Sequence, residues 1–241
     1  MISKVIILPD IHMTDKTPKT YKVVKGFISQ FKPDETIILG DFMDVASLSA
    51  WDYDKKRKME GRRFLKEVDC ANKELDYIQK YSKKIIYIVG NHENRVDRYL
   101  DKNPEMEGMI DLLTVLKIHK RKIEWIPLDK VYALGKCNFV HGLYTNQYHA
   151  KKTLEAVGDN IVYGHVHQAS SFFKTAKLQK PIMAYSLGCL GDLAPEYMAG
   201  KWANWITGFG VMYYNTDNGL FNLYPINIIS NKFIFNGVEY K

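Results

Sequence analysis

The strongest constraint in this sequence is a pattern that recurs between residues 4 and 168, in which a short apolar run is followed at once by polar side chains. The clearest example is Thr36–Leu39, which is followed by Gly40, Asp41 and Asp44. Apolar runs bounded by a turn residue are typical of parallel strands buried on both faces. Because open α/β sheets bind ligands at the carboxyl ends of such strands, we predict that Asp41 lies at a ligand-binding edge. Taken alone, Gly-Asp after a strand is also a common turn.

Four other apolar runs repeat this pattern, and most of the histidines follow them. The runs are Lys4–Leu8, Ile85–Val89, Cys137–Val140 and Ile161–Tyr163. Five of the seven histidines come shortly after these four runs together with two further polar residues, and Asp41 follows the run Thr36–Leu39. The eight candidates are His12, His92, His141, His165, His167, Asp10, Asp41 and Asn91. A lone histidine is more often structural than a ligand, which is our interpretation of His119 and His149. Five at equivalent strand ends are hard to explain by packing.

The chemistry of these side chains indicates a metal centre. Carboxylate and amide oxygens mixed with imidazoles, without a thiolate, suit manganese, iron, zinc or nickel better than a cysteine-type structural zinc site. Eight such donors exceed the needs of one ion. Two ions about 3.5 to 4 Å apart that share a bridging carboxylate would use them all.

Length and composition are those of an ordinary globular protein. The 241 residues are 46% hydrophobic, which is enough for one domain with a substantial core. We predict a single domain over residues 1–241, in which residues 45–63 are a basic substrate-facing insertion and residues 181–241 a β-rich C-terminal part. No apolar run approaches the roughly 20 residues of a membrane span, and the three cysteines lack Cys-x-x-Cys spacing. We therefore expect a cytoplasmic protein without a membrane partner.

Between the apolar runs, the hydrophobic spacing predicts helices. The expected helices are about Tyr21–Phe31, Arg63–Tyr81, Asn94–Leu116 with a break near Pro104, and Ala150–Val157. After Pro181 the pattern becomes one of strands, with a hairpin turn at Asp217–Gly219. Residues 45–63 are expected to be irregular.

Taken together, the motifs resemble those of the calcineurin-like metallophosphoesterase superfamily. They are Asp10-x-His12, Gly40–Asp44, Gly90–Glu93, His141 and Gly164–His167, in that order. The compact size and the C-terminal segments Ser186–Leu190 and Asn204–Gly210 are also similar to small phosphoesterases of bacteriophages. The resemblance implies an α/β fold, a four-layer α-β-β-α sandwich of two mixed sheets flanked by helices.

The resemblance also implies roles for the motif residues. Asp10, His12 and His167 would bind the first divalent ion and Asn91, His141 and His165 the second, with Asp41 bridging both. Manganese fits this set best, and iron, zinc, nickel or magnesium are alternatives. His92 would be the catalytic histidine that stabilises the phosphoryl oxygens or protonates the leaving oxygen, and Asp44 would orient it. The alternative for Asp44 is a helix N-cap.

Two groups of basic residues are candidates for substrate binding. Lys55, Arg57 and Arg62 lie in the basic run Lys55–Arg63, near Trp51 and Tyr53, and this run is either a clamp on a polyanion or a solvated face. Arg95 and Arg98 follow the third motif and would share one helix face, where they either bind phosphate or pair with Asp97 or Asp101. The net charge of +7 favours phosphate-bearing partners.

Three functions remain open at this point. The leading one is a phosphodiesterase or nuclease that acts on DNA or RNA by attack of a metal-bridged hydroxide. The second is a phosphomonoesterase acting on nucleotides or phosphoproteins. The protein serine/threonine phosphatases normally have an arginine where this chain has Val45, which argues against that branch. The third, a non-enzymatic interaction module, is disfavoured because no predicted ligand is missing.

Overall fold

The computed structural model describes residues 1–50, 54–176, 179–194 and 203–241, and these residues form two β-sheets with flanking helices. The strands are β1 (Ile2–Leu8), β2 (Glu35–Leu39), β3 (Lys84–Ile88), β4 (Glu124–Ile126), β5 (Tyr132–Leu134), β6 (Cys137–Val140), β7 (Ile161–Tyr163), β8 (Ala169–Ala176), β9 (Gln179–Leu187), β10 (Gly208–Asn215), β11 (Phe221–Asn227), β12 (Phe233–Phe235) and β13 (Val238–Tyr240). The α-helices are α1 (Lys19–Phe31), α2 (Lys56–Met59), α3 (Phe64–Tyr81), α4 (Arg95–Leu100), α5 (Leu112–Val115), α6 (Ile118–Arg121) and α7 (His149–Val157).

The larger sheet has six strands in the order β11-β10-β1-β2-β3-β4. Strands β1 to β4 pair in parallel, whereas β10 pairs antiparallel with both β1 and β11. The central strands are apolar on both faces because each face is covered. Val5 and Ile7 face the second sheet, while Ile6 and Leu8 face helices.

The second sheet has five strands in the order β5-β6-β7-β9-β8. Strands β6, β7 and β9 are parallel, and the outer strands β5 and β8 are antiparallel to their neighbours. Phe139, Val162 and Leu187 pack against the inner face of the larger sheet. This contact forms the core between the two sheets.

Helices cover the outer faces of both sheets and complete four layers. In α1, Tyr21, Val24 and Phe27 are buried at helical spacing against the larger sheet, and α3 packs beside them. On the other side, Leu154 of α7 packs with Tyr163 of β7. The predicted sandwich of two mixed sheets flanked by helices is thus confirmed. No helix in the described ranges has the length and apolar character needed to cross a membrane.

Several element predictions need correction. Strand β8 was not predicted, because its adjacent serines and adjacent phenylalanines over Ser170–Phe173 form neither an apolar run nor a polar–apolar alternation. It lies at the edge of its sheet. Residues 94–116 are not a helix with one break but α4, a 3₁₀ turn at Pro104–Met106 and α5. Residues 45–63 contain a 3₁₀ turn at Ala46–Leu48 and the short α2, and Trp51 and Tyr53 lie outside the described residues.

The C-terminal strands give a test of the predicted single domain. Phe27 of α1 is buried and contacts the rings of Phe209, Phe233 and Tyr240, so it joins an N-terminal helix to the end of the chain. We expect Phe27→Ala to lower the free energy of unfolding by about 3 to 5 kcal/mol, because it leaves a cavity. In urea, the variant should unfold in a single transition. Its midpoint should be the same by far-UV circular dichroism and by tyrosine fluorescence.

The matched control is Leu65→Ala, whose side chain is 67% exposed and which should change stability by less than about 0.5 kcal/mol. A separate early transition of the C-terminal strands in Phe27→Ala would argue against one cooperative domain.

Candidate metal centre

The loops that follow β1 and β2 run side by side. The His12 amide donates to the carbonyl of Asp41 at 2.8 Å, and the Met13 amide donates to the carbonyl of Phe42 at 2.8 Å. The Asp44 amide then donates back to Met13 at 2.8 Å. Parallel pairing therefore continues beyond the strands, and it brings the side chains of Asp10 and His12 beside that of Asp41.

The backbone is strained where the predicted ligands lie. Five of them have positive φ angles: Asp10 at 45°, His12 at 51°, Asp41 at 47°, His165 at 68° and His167 at 57°. Such angles are uncommon for residues other than glycine, and each costs of order 1 kcal/mol or more. Strain of this kind clusters at functional sites.

Two hydrogen bonds join the two sheets at this edge. Asp10, after β1, accepts the backbone N–H of His165, after β7, at 2.9 Å. His141, after β6, donates from Nδ1 to the carbonyl of Leu39 in β2 at 2.9 Å. The candidate site is therefore built by both sheets together.

The first group of donors is Asp10, His12 and His167. The Nε2 atoms of His12 and His167 lie 3.0 Å apart, and Nε2 of His167 lies 3.4 Å from Oδ1 of Asp10. Asp10 is fully buried, and the two rings are largely buried. Their donor atoms converge on one point, as ligands of a single ion do.

The second group is Asp41, His141 and His165, with Asn91 beside them. Nε2 of His141 lies 3.0 Å from Oδ1 of Asn91 and 3.4 Å from Oδ2 of Asp41. The same Oδ2 atom lies 3.8 Å from Nε2 of His12 in the first group. Asp41 thus stands between the two groups.

The donor atoms of this site fit divalent cations. A carbonyl oxygen only accepts, so the bond to Leu39 places a hydrogen on Nδ1 of His141 and leaves the Nε2 lone pair of the neutral ring free for a metal. Burial alone would lower the pKa of His141, but the charge and hydrogen bond of Asp41, the Asp10 charge and the bond to Leu39 together raise that pKa. Burial would raise the pKa of Asp41, but the facing imidazoles lower it well below its usual value.

His92 lies beside both groups, and its ring contacts Asp44 and Arg95. Its Nδ1 donates to Oδ1 of Asp44 at 2.8 Å, and its Nε2 lies 3.8 Å from Oδ2 of Asp41. Burial would lower the pKa of His92, but the Asp41 charge and the Asp44 hydrogen bond raise it. The guanidinium of Arg95, 3.2 Å from Nε2, opposes that rise.

Asp44 is not a helix N-cap. The 3₁₀ turn that follows has Val45 at its N-cap position, without a side-chain capping bond. The carboxylate of Asp44 instead contacts the rings of His92 and His12. The alternative interpretation of Asp44 is therefore wrong.

Of the predicted substrate-binding residues, the structure brings two to the site. Arg95 donates to the backbone carbonyl of Asp44 at 2.7 Å, and Nη1 of Arg62 lies 3.8 Å from Oδ2 of Asp44. Lys55, Arg57 and Arg98 are exposed. The basic run thus reaches the site through Arg62.

The histidines assigned to structural roles lie away from the two donor groups. His149 is buried, and its Nδ1 forms a 2.6 Å hydrogen bond with the hydroxyl of Tyr163. His119 is an exposed residue of α6. Neither residue belongs to these two groups. Neither belongs to the third cluster of potential metal ligands in the described chain, which is His12, Asp44 and His92.

Sequence reasoning missed the role of Glu93, although Glu93 is part of a motif. Its buried carboxylate accepts the backbone N–H groups of Asp41 at 3.0 Å, Met43 at 2.9 Å and Gly90 at 2.9 Å. It also accepts the hydroxyl of Tyr87 at 2.9 Å. Glu93 therefore fixes the ends of β2 and β3 relative to each other.

The contacts of two further residues near the site were not predicted from the sequence. Glu67 of α3 accepts the N–H groups of Ala46 and Ser47 at 3.3 and 3.4 Å, directly after Asp44 and Val45. The ring of Trp205 lies 4.4 Å from the ring of His167. Both contacts join segments far apart in sequence.

The chain is similar to a known protein family, to bacteriophage proteins and to solved structures, among them the following. Residues 3–169 match the family model described as calcineurin-like phosphoesterase. The gene 54 proteins of Mycobacterium phages D29 and L5 are each 24% identical, over 232 and 228 residues, and the match covers 88% of this chain and 89% of each relative.

Two solved structures are similar in fold. A single-mutant Vps29 from Entamoeba histolytica has a TM-score of 0.51 at 9% identity and covers 99% of both chains. Vps29 from Chaetomium thermophilum has a TM-score of 0.51 at 13% identity, covering 95% of this chain and 92% of that one. At these identities the likeness concerns the fold alone.

The position of Asp41 depends on the absence of a side chain at Gly90. A Cβ atom there would overlap Oδ1 and the backbone nitrogen of Asp41. We expect MnCl₂ to raise the melting temperature of the native chain, and we expect Gly90→Ala to displace the carboxylate and to reduce that rise. Gly26→Ala is the control, because its Cβ meets no atom within 4 Å and alanine in α1 should stabilise by about 0.5 to 1 kcal/mol. An unchanged manganese response in Gly90→Ala would contradict this account.

Glu67 should make stability depend on pH. Burial, with a smaller contribution from the Asp44 charge, raises its pKa from 4.5 to about 7. The folded chain then holds the proton more tightly than the unfolded chain, so stability falls as pH rises from 4.5 to 7, by up to about 3 kcal/mol. Glu67→Gln should remove that part of the decline between pH 5 and 7.5 in urea unfolding. Glu105→Gln, an exposed control, should show the same fall in stability with pH as the native chain. If the two variants have the same dependence of unfolding free energy on pH, the prediction is refuted.

Proposed function

The chain belongs to the calcineurin-like phosphoesterase family, and we propose that it is a phosphoester hydrolase that depends on two divalent metal ions. The observation that carries the proposal is the position of Asp41 Oδ2. This oxygen lies 3.8 Å from Nε2 of His12 and 3.4 Å from Nε2 of His141, so one carboxylate faces two separate donor groups. A shared carboxylate is the feature that a two-metal site requires.

The two donor groups define the proposed ligands. Asp10, His12 and His167 would hold the first ion, Asn91, His141 and His165 the second, and Asp41 both. When bound, the ions would stabilise negative charge on the phosphoryl oxygens and lower the pKa of a water molecule towards neutrality. Manganese is the best candidate for this mixed set of nitrogen and oxygen ligands. Iron, zinc, nickel and magnesium are alternatives, and the availability of each metal in the cell would decide which one is bound.

His92 would act on the substrate as the catalytic histidine. Its Nδ1 is held by Asp44, so Nε2 is the atom directed towards Asp41 and the donor groups. A proton on Nε2 would stabilise a phosphoryl oxygen or pass to the leaving oxygen. Asp44 would act as a positioning residue, because it fixes the ring and favours its charged form.

Arg95 and Arg62 would bind the phosphate of the substrate. Both guanidinium groups contact Asp44, with Arg95 also 3.2 Å from Nε2 of His92, so they lie on the side of the site where the leaving group is expected. Arginine is suited to this role because its planar fork binds two phosphate oxygens at once. The protein serine/threonine phosphatases normally have an arginine at the position where this chain has Val45. Arg95, which contacts the neighbouring Asp44, would supply a positive charge there instead.

A nucleic-acid phosphodiester is the proposed substrate class. The net charge of +7 and the basic segment that reaches the site through Arg62 support a polyanion over a small monoester. A phosphomonoesterase on nucleotides or phosphoproteins is the second candidate, because the same metal chemistry hydrolyses both ester types. A non-enzymatic interaction module is the third and weakest, since all predicted ligands are present.

A substrate panel with added metal tests this proposal. With MnCl₂, the protein should hydrolyse bis-p-nitrophenyl phosphate and single-stranded DNA or RNA faster than p-nitrophenyl phosphate. Asp41→Ala and His92→Ala should each lower turnover by at least about a thousandfold, since the first removes the proposed shared metal ligand and the second the proposed catalytic histidine. His119→Ala, an exposed histidine on α6, should keep native activity. Turnover of monoesters alone would refute the diesterase proposal, and full activity in His92→Ala would refute its catalytic role.

A further inference from the structure

The carboxylate of Asp44 faces two imidazoles, of which only one is the catalytic histidine. Oδ1 of Asp44 lies 2.8 Å from Nδ1 of His92 and 3.6 Å from Nδ1 of His12. The two rings are themselves adjacent, with centroids 4.4 Å apart in an edge-to-face arrangement. One oxygen atom therefore lies between two histidines that have different proposed roles.

His12 needs a partner at Nδ1. That atom is buried, and no hydrogen-bond acceptor lies within bonding distance of it in the described chain. The other ring nitrogen, Nε2, is directed at Nε2 of His167, 3.0 Å away, and at the first donor group. A small rotation of the ring would bring Nδ1–H from 3.6 Å into hydrogen-bonding range of Asp44, because a buried N–H without an acceptor is unfavourable.

The position of Asp44 is well defined, so it can orient a neighbouring ring. Its backbone carbonyl accepts from Arg95 at 2.7 Å, and its Oδ2 atom faces Arg62 at 3.8 Å. The carboxyl group is largely buried. A carboxylate oxygen carries two lone pairs, so Oδ1 has the capacity to accept from both histidines.

We propose that Asp44 is a positioning residue for the first metal ion as well as for His92. Its carboxylate would hold the hydrogen of His12 on Nδ1 and direct the Nε2 lone pair at the ion. A carboxylate behind a metal-binding histidine orients the ring and makes it a better ligand, and losing such a partner costs 10- to 100-fold in metal affinity. One carboxylate would then couple the first metal group to the catalytic histidine.

The inference rests on the proposed two-metal function, and metal binding without turnover tests it. The metal-stripped chain of 241 residues is titrated with MnCl₂ by isothermal titration calorimetry. The native chain should bind two ions. Asp44→Ala should weaken one of them by about 10- to 100-fold and leave the other unchanged. Asp44→Asn, which keeps an acceptor oxygen, should recover part of the loss.

Two further variants show whether the effect passes through His12. His92→Gln removes the other partner of Asp44 and should leave both manganese affinities unchanged. In a His12→Ala background, Asp44→Ala should cause no additional loss of affinity, since the ring that it orients is gone. Circular dichroism of each variant establishes that it is folded.

Each outcome of the titration decides one question. If Asp44→Ala binds two ions as tightly as the native chain, the second role of Asp44 is wrong and the proposed function stands. If the loss persists in the His12→Ala background, the effect is not carried by His12. If the native chain itself binds fewer than two ions, the proposed two-metal function fails, and the inference fails with it.

Discussion

The candidate site depends on one buried carboxylate that is not itself a proposed ligand. Glu93 accepts three backbone N–H groups and the Tyr87 hydroxyl, and so ties the loop that carries Asp41 to the loop that carries His92. Burial and the nearby Asp41 charge raise its pKa, so the bonds to Glu93 must offset a costly buried charge. With four donors in place, the carboxylate is satisfied and the two strand ends are rigid.

Rigidity at this edge makes the strained backbone possible. Positive φ angles at proposed ligands such as Asp10 and His167 persist only because surrounding bonds determine them. Asp10 illustrates this, since its carboxylate accepts the His165 amide and its carbonyl accepts the Gly191 amide at 2.9 Å. The two donor groups are therefore pre-arranged by contacts between the sheets, which is what two closely spaced cations need.

The sequence predicts the parts of this molecule that are encoded locally. Strands β6 and β7 have the predicted bounds because each is a short run that is apolar apart from Asn138 in β6. The donors that follow them could be grouped because the carboxyl ends of parallel strands share one edge of the sheet. Strand β8 was missed because it has neither an apolar run nor a regular alternation, and the separate helices of residues 94–116 are divided by turns that the hydrophobic spacing does not mark. The contacts of Glu93, Glu67 and Trp205 are long-range, and no local pattern marks them.

We propose that Asp41 is shared by two metal ions, and anomalous diffraction from crystals grown with MnCl₂ would show whether it is. We expect two manganese peaks, one at Asp10, His12 and His167 and one at Asn91, His141 and His165, with the Asp41 carboxylate in contact with both. A single peak, or two peaks of which only one contacts Asp41, would contradict it.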